Sequence, residues 1–155
     1  MIEGKYREAI LLLAQSVPII GKTGATIVDL ADRYARIVMP LGPNVNHIGT
    51  MYGGSLFILA ELSGGVIWYV SFDHERFYPI IREVDIKYLS PAATDVSLEV
   101  SLGEEEARAV QESADREGRC DWSMDLQLKD ASGKVVSTVH GTWQLRKIQD
   151  KTNKR

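Results

Sequence analysis

Three segments in the second half of the chain alternate apolar and polar residues with a period of two. In the stretch Arg82 to Tyr88, Val84, Ile86 and Tyr88 alternate with Glu83, Asp85 and Lys87. Val96, Leu98, Val100 and Leu102 alternate with Ser97, Glu99 and Ser101, and Trp122, Met124, Leu126 and Leu128 with Asp121, Ser123, Asp125 and Gln127. Successive side chains on a strand point to opposite faces. The pattern therefore predicts antiparallel strands with one buried face and one wet face. Val135 to Arg146 reads as a last strand, entered through the turn Asp130-Ala131-Ser132-Gly133. Earlier, Ala25 to Leu30 and Tyr34 to Met39 read as a strand pair joined at Asp32-Arg33 and closed by Pro40.

Between these two groups the pattern changes. Leu56, Phe57, Ile58, Leu59, Leu62, Val66, Ile67 and Val70 go all the way round a helical wheel, which predicts a buried helix ending near Phe72. Its length is close to that of a membrane span. Glu61 and Gly64-Gly65 interrupt it and no anchoring residues flank it, so it reads as a core helix.

Two more helices are expected. Tyr6, Ile10, Leu13 and Val17 are spaced for an amphipathic helix over 3–16, ended by Pro18, with a turn at Gly21 to Gly24. The short apolar run from Ala9 to Ala14 is flanked by Glu3 and Glu8 and lacks a small-residue cleavage site, so it does not read as a secretion signal. Glu104 to Glu117 reads as an exposed helix stopped by Gly118, with Glu104/Arg108 and Glu112/Arg116 spaced for i,i+4 pairing. Residues 149–155 read as a disordered polar tail.

One long helix must then be covered by one antiparallel sheet of about six strands. The fold class is α+β, with the sheet wrapped round the helix. A single domain over 1–155 is expected, with its core over about 23–146. The net charge of −3 gives no reason to expect nucleic acid or an anionic membrane as partner. The single cysteine, Cys120, excludes an internal disulfide and suits a reducing cytoplasm.

The chemistry narrows to one stretch. His47, His74 and His140 are scattered, with no His-x-x-x-His or cysteine pair, so no metal site is expected. There is no Gly-x-Ser-x-Gly elbow, no P-loop and no dinucleotide fingerprint. Glu61 is the anomaly. A carboxylate inside an apolar helix is costly unless paired, hydrogen-bonded or protonated, and perturbed acids cluster at working sites. Two plainer readings remain open: a wetted strip of the helix, or neutralisation by Arg36 or Arg82. Gly53 and Gly54 precede the helix, where free N–H groups and the helix dipole favour a developing oxyanion. Equally, the two glycines allow tight packing of helix on sheet. Gly53 and Glu61 are eight residues apart, about 12 Å at helical rise. A base and an oxyanion donor must both reach one carbonyl, so one helix cannot supply both. If both act, they come from two copies of the chain with antiparallel helices.

The stretch Asn46-x-x-Gly49-Thr50-x-Tyr52-Gly53-Gly54-x-Leu56-x-x-Leu59-Ala60-Glu61 resembles the signature of hotdog-fold acyl-CoA thioesterases, in particular the phenylacetyl-CoA thioesterase-like branch. Ile86-Lys87-Tyr88-Leu89-Ser90-Pro91-Ala92 is similar to that branch's strand after the helix, and Gly133-Lys134-Val135-Val136 resembles its final hairpin. The resemblance runs from about Thr23 to Arg146.

It implies hydrolysis of an acyl-CoA ester without metal or organic cofactor, by a homodimer or dimer of dimers with the site shared between subunits. Glu61 is then the base or the nucleophile. The Gly53 N–H polarises the thioester carbonyl from the other subunit, and Asn46 positions that carbonyl or the water. Thr50, Tyr52, Gly54, Tyr88 and Arg82 are expected to meet substrate, with Arg82 and Lys87 candidates for the coenzyme A phosphates. Lys87 reads equally well as an ordinary wet-face residue. Tyr52 departs from the pattern, because that branch usually carries His there. A phenol with a pKa of about 10 is a poor base near neutral pH. A second branch of the superfamily, with Gly-Thr-Met followed by an aromatic residue and a later Glu, resembles the chain at this point. The departure motivates an alternative, a non-catalytic acyl-CoA binding module. A hotdog dehydratase of 3-hydroxyacyl thioesters is a third reading, but His47 falls too early in the motif to act as its histidine.

Overall fold

The computed structural model describes residues 1–149, so the predicted disordered tail lies outside the described residues except for Gln149. Short helices α1 (Arg7–Gln15) and α2 (Pro18–Thr23) precede strands β1 (Thr26–Ala31) and β2 (Tyr34–Met39). The long helix α3 (Gly53–Ser71) follows, then β3 (Phe77–Tyr88), β4 (Val96–Ser101), helix α4 (Glu104–Glu117), β5 (Arg119–Asp130) and β6 (Val135–Lys147). The six strands form one sheet in the order β1-β2-β4-β5-β6-β3. Every neighbouring pair is antiparallel. α3 carries the chain from β2 to the far edge of the sheet and packs against β2, β3, β4, β5 and β6.

The alternation in β4 and β5 translates directly into burial. Val96, Leu98 and Val100 point inward, as do Trp122, Met124, Leu126 and Leu128, while their neighbours face solvent or are half-buried. The Asp130–Gly133 turn forms, with Gly133 at φ 86° and the Asp130 carboxylate accepting from the Ser132 and Lys134 N–H groups. The inner face is anchored by Trp143, which is 1% exposed and stacks with Trp122 at 6.2 Å between ring centroids. Gly64 of α3 lies against the Trp143 indole so closely that an added Cβ would overlap its ring atoms. That contact explains one glycine of the pair inside the helix. Gly65 faces open space.

Four expectations need correction. The N-terminal segment is not one helix over 3–16. A 3-10 turn at Gly4–Tyr6 leads into α1, and Pro18 then opens α2 rather than simply ending its predecessor. Proline is pre-organised for a first helical position, where its missing N–H costs nothing. Consequently Gly21 is helical, and only Gly24, at φ 74°, makes the turn. The third strand begins at Phe77, five residues before the alternation starts. It sits at the edge of the sheet, where Pro79 needs no ladder partner on its free side. A bulge between Ile81 and Glu83 sets Arg82 out of register. Finally, the i,i+4 pairs on α4 do not form among the described residues. Glu104 lies 4.0 Å from Arg33 and Arg116 pairs with adjacent Glu117 at 3.2 Å. Exposed pairs are worth too little to hold two long side chains in a preset geometry.

The two sheet edges differ. At β1, Ile2 bridges Leu30, the Glu3 N–H donates to the Leu30 carbonyl and the Leu30 N–H to that of Met1. The N-terminus therefore caps that edge. β3, twelve residues long, has no described strand on its outer side. Its apolar residues Val84 and Ile86 are only half-buried and Tyr88 is exposed, so the alternating pattern there finds less cover than in β4 or β5.

Replacing Gly64 by Ala tests the packing at Trp143. Ala gains about 1 kcal/mol of helix propensity. Overpacking against a rigid buried indole costs about 1–3 kcal/mol or more. A lower thermal unfolding midpoint than the parent is the expected result in calorimetry.

Candidate functional site

The start of α3 is held by a buried asparagine. Asn44 donates from Nδ2 to the carbonyls of Thr23 (2.8 Å) and Pro40 (2.7 Å), and its Oδ1 accepts from Ser55 Oγ at 2.9 Å. Its own carbonyl accepts from the Tyr52 N–H at 2.8 Å. Asn44 thus ties α2, β2 and the first turn of α3 together. In the sequence it sits beside Pro43 and reads as a turn residue. Only the three-dimensional neighbours reveal its role.

The loop beyond it folds on Asn46. The Oδ1 of Asn46 accepts from the Ile48 and Thr50 N–H groups, each at 3.0 Å, and Nδ2 donates to Thr50 Oγ1 at 2.9 Å. The side chain is largely occupied with shaping its own loop. His47 lies at the exposed tip. The Met51 N–H donates to the Ala92 carbonyl at 2.8 Å, so the Pro91-Ala92 segment after β3 buttresses the approach to the helix.

The Ser55 and Leu56 N–H groups both donate to the Tyr52 carbonyl, at 3.0 and 3.2 Å. The N–H groups of Gly53 and Gly54 have no acceptor among the described residues. They stand at the positive end of a nineteen-residue helix. Tyr88, from the end of β3, lies 3.5 Å from the position of a Cβ on Gly53 and donates its hydroxyl to the Gly53 carbonyl at 3.0 Å. Tyr52, 60% exposed, covers Gly54, and its phenol helps hold the Tyr88 pKa above the ordinary value, after the larger effect of burial. Asn46, Thr50, Tyr52, Gly53, Gly54 and Tyr88 are therefore gathered at one end of α3. Arg82 is not among them. It borders a separate concavity with Arg119, Cys120, Asp121 and Gln144.

Glu61 lies two turns further along α3 and is half-buried. Burial alone pushes its pKa above the ordinary 4.5, with no ion pair or hydrogen bond contributing. The candidate arginines do not reach it: Arg36 faces Glu99 at 3.9 Å, and Arg82 is exposed on the edge strand. Gly54, Phe57, Ile58, Glu61, Gly65 and Trp68 recur at helical spacing and form the one stripe of α3 that the sheet leaves incompletely covered. Among the described residues of a single chain, none of the main cavities is lined by Glu61 or Gly53. The largest, about 830 Å3, lies at the opposite end of the sheet, beside Tyr78, Arg119 and Arg146. The titratable group and the free donors, rather than cavity volume, define the candidate site.

The fold is the hotdog fold, a long helix wrapped by a six-stranded antiparallel sheet. Residues 7–145 match the family described as a domain of unknown function, DUF4442, and the chain belongs to that family. The chain is 38% identical to a protein of unknown function from Pseudomonas aeruginosa described as a probable thioesterase. The match covers 91% of this chain and 95% of that one, at a TM-score of 0.86. A mutant of a second Pseudomonas aeruginosa thioesterase matches at 20% identity and a TM-score of 0.69, covering 90% and 94% of the two chains. A thioesterase from Haemophilus influenzae matches at 14% identity and 0.69, covering 93% and 94%. At these lower identities the likeness is one of fold. No protein of curated function matches the chain.

Asn44→Ala removes a hub with three side-chain hydrogen bonds, two of them to carbonyls. A loss of about 2–4 kcal/mol in denaturant unfolding is expected, since buried groups left unsatisfied cost about 1–3 kcal/mol each.

Proposed function

We propose that the protein is a thioester hydrolase acting on an acyl-CoA, with its active site shared between the two subunits of a homodimer. The observation that carries this reading is Glu61. It is a carboxyl without a partner, on the uncovered stripe of a helix whose first N–H groups are also without one. The resemblance of the Asn46–Glu61 stretch to acyl-CoA thioesterases supports it. So does the description of the Pseudomonas aeruginosa relative as a probable thioesterase.

In this mechanism the thioester carbonyl oxygen rests on the Gly53 N–H, with Gly54 beside it. Glu61 of the partner subunit takes a proton from water, and the resulting hydroxide adds to the carbonyl carbon. Negative charge moves to the oxygen, where the preorganised N–H donors and the helix dipole stabilise it. The intermediate collapses, the C–S bond breaks and the thiolate leaves with the proton held by Glu61. The products are the free acid and coenzyme A. The same carboxylate also has the chemistry to attack directly, giving an acyl anhydride that water then opens. A raised pKa suits a base, because it brings proton affinity closer to that of the water being activated. Asn46 contributes by fixing the loop, while Thr50, Tyr52 and Tyr88 shape the mouth. The half-buried Cys120 and the lack of a disulfide suit the cytoplasm.

The dimer rests on two unfinished surfaces. The β3 edge offers a twelve-residue row of backbone groups, and long open edges invite pairing. The α3 stripe offers Phe57, 38% exposed, beside half-buried Ile58 and Trp68. Antiparallel pairing of two β3 strands closes both surfaces and turns each Glu61 toward the neighbouring Gly53. One observation favours the alternative, an acyl-CoA binding module: Tyr52 caps the helix where an imidazole would supply a second base.

Glu61→Gln is the test of the chemistry. Free-thiol release from a panel of acyl-CoA esters should fall about a hundredfold or more. Activity within a few-fold of the parent removes Glu61 from the mechanism, and tight binding without turnover by the parent selects the binding module. The same variant has a signed effect on stability. Because burial raises the pKa, the folded chain resists ionising Glu61. The parent therefore loses stability as pH rises from 4.5 through the raised value, and that cost is absent at lower pH. Glu61→Gln should unfold at a higher temperature than the parent at pH 7, and the difference should shrink below pH 4.5.

Phe57→Asp tests the assembly. A charge on the helix stripe should leave the monomer fold intact by circular dichroism. In sedimentation the parent should run as a dimer or dimer of dimers and the variant as a monomer, with activity lost. A parent that sediments as a monomer at micromolar concentration contradicts the shared site.

A further inference from the structure

We infer that Tyr88 is a positioning residue that acts through the Gly53–Gly54 peptide: its phenol bonds to the Gly53 carbonyl, and so aims and strengthens the Gly54 N–H as a second donor to the thioester oxygen. This rests on the thioesterase reading of the same site, in which the Gly53 N–H is the first donor. The role is separate from any contact that the Tyr88 ring makes with substrate at the mouth.

A carbonyl and the N–H that follows it share one planar peptide. The Gly54 N–H therefore belongs to the same rigid unit as the Gly53 oxygen. The Tyr88 hydroxyl donates to that oxygen at 3.0 Å. A donor at the oxygen draws electron density through the amide and leaves the N–H more positive. Hydrogen bonds linked in this way strengthen one another by about 10–30% each. The helix treats the Gly53 N–H likewise. That group shares a peptide with the Tyr52 carbonyl, which accepts from the Ser55 and Leu56 N–H groups at 3.0 and 3.2 Å. Both unpartnered donors thus belong to peptides whose oxygens are engaged. For Gly54, part of that engagement comes from outside the helix, from the end of β3.

Two successive glycines hold a helix start loosely, because glycine has the widest backbone freedom. Aromatic rings confine them here. Tyr88 ring atoms lie 3.5 and 3.6 Å from the position of a Cβ on Gly53, and a Cβ on Gly54 would overlap the Tyr52 ring. The sheet fixes Tyr88 in turn. It stands opposite Ser137 of β6, and the Leu89 N–H that follows donates to the Val136 carbonyl at 2.9 Å. Beyond the same strand end, the Ala92 carbonyl holds the Met51 N–H just before the helix. Strand end and helix start are thereby braced against each other, and the phenol bridges them. Burial, and after it the Tyr52 phenol, hold the Tyr88 pKa above its ordinary value of 10. The hydroxyl therefore keeps its proton, and remains a donor, across the neutral range.

Tyr88→Phe removes the hydroxyl and keeps the ring, and nuclear magnetic resonance and kinetics then read the two ends of the relay. Glycine labelled at both carbonyl carbon and amide nitrogen gives correlated signals only at Gly-Gly peptides. The chain has two of them, Gly53-Gly54 and Gly64-Gly65. In the variant the Gly54 nitrogen signal should move upfield, while Gly65, on the same helix, stays. In turnover kcat should fall about two- to eightfold with KM unchanged, as expected from weakening by about 10–30% a donor worth about a hundred- to a thousandfold. The unfolding midpoint should match that of the parent, because the lost bond lies at the surface. A Gly54 signal that does not move overturns the relay, whatever kcat does. A KM that rises while kcat holds also overturns it, by making the phenol a substrate contact, and a lowered midpoint with kcat intact does so by making it structural. A moved Gly54 signal in a protein that cleaves no acyl-CoA supports the relay and sinks the hydrolase reading. Turnover by the parent with Gly54 unmoved in the variant keeps the hydrolase and sinks the relay.

Discussion

A single curved sheet wraps a long helix over most of its circumference, not all of it. Six strands take up the α3 residues that point toward them, leaving Leu59, Val66 and Ile67 without solvent exposure. The strip that remains is narrow and recurs at helical spacing through Phe57, Glu61, Gly65 and Trp68. The candidate site lies along that strip and at the helix end that begins it. The strip accounts for how an acid survives in an otherwise apolar helix. Glu61 is dehydrated enough to resist ionisation, yet not enclosed where a bare carboxylate would be prohibitive.

The helix end obeys a related constraint. Its first N–H groups are left over by helix geometry, and a protein that keeps them free must hold them without filling them. Asn44 does the holding from behind, through Ser55 and the Tyr52 N–H, while Tyr88 bonds to the Gly53 carbonyl rather than to an N–H. The donors stay available because the supporting contacts all fall on other atoms.

The open β3 edge is a consequence of the strand order. By carrying the chain across to the far side of the sheet, α3 makes β3 an edge strand. The N-terminal residues cap the opposite edge at β1, so unfinished backbone is concentrated on one side. The bulge at Arg82 and the opposed arginines of β5 and β6 belong to that half of the molecule as well.

Much of this architecture was legible in the residues themselves. Period-two alternation located β4 and β5, the all-round apolar wheel located α3, and Glu61 stood out within it because burial and charge conflict wherever the chain goes. Local pattern determines these because it reports which faces must avoid water. Pattern alone left β3 short by five residues, since Phe77 to Ile81 follow edge-strand rules that alternation does not record. It also misassigned Pro18, whose fixed φ opens a helix as readily as it ends one. Tertiary structure alone decided that Asn44 is a buried hub, that Arg82 sits apart from the other candidate residues and that Arg119 opposes Arg146. Those facts depend on which distant segments become neighbours, and strand order, register and bulges fix that only once the whole sheet has formed.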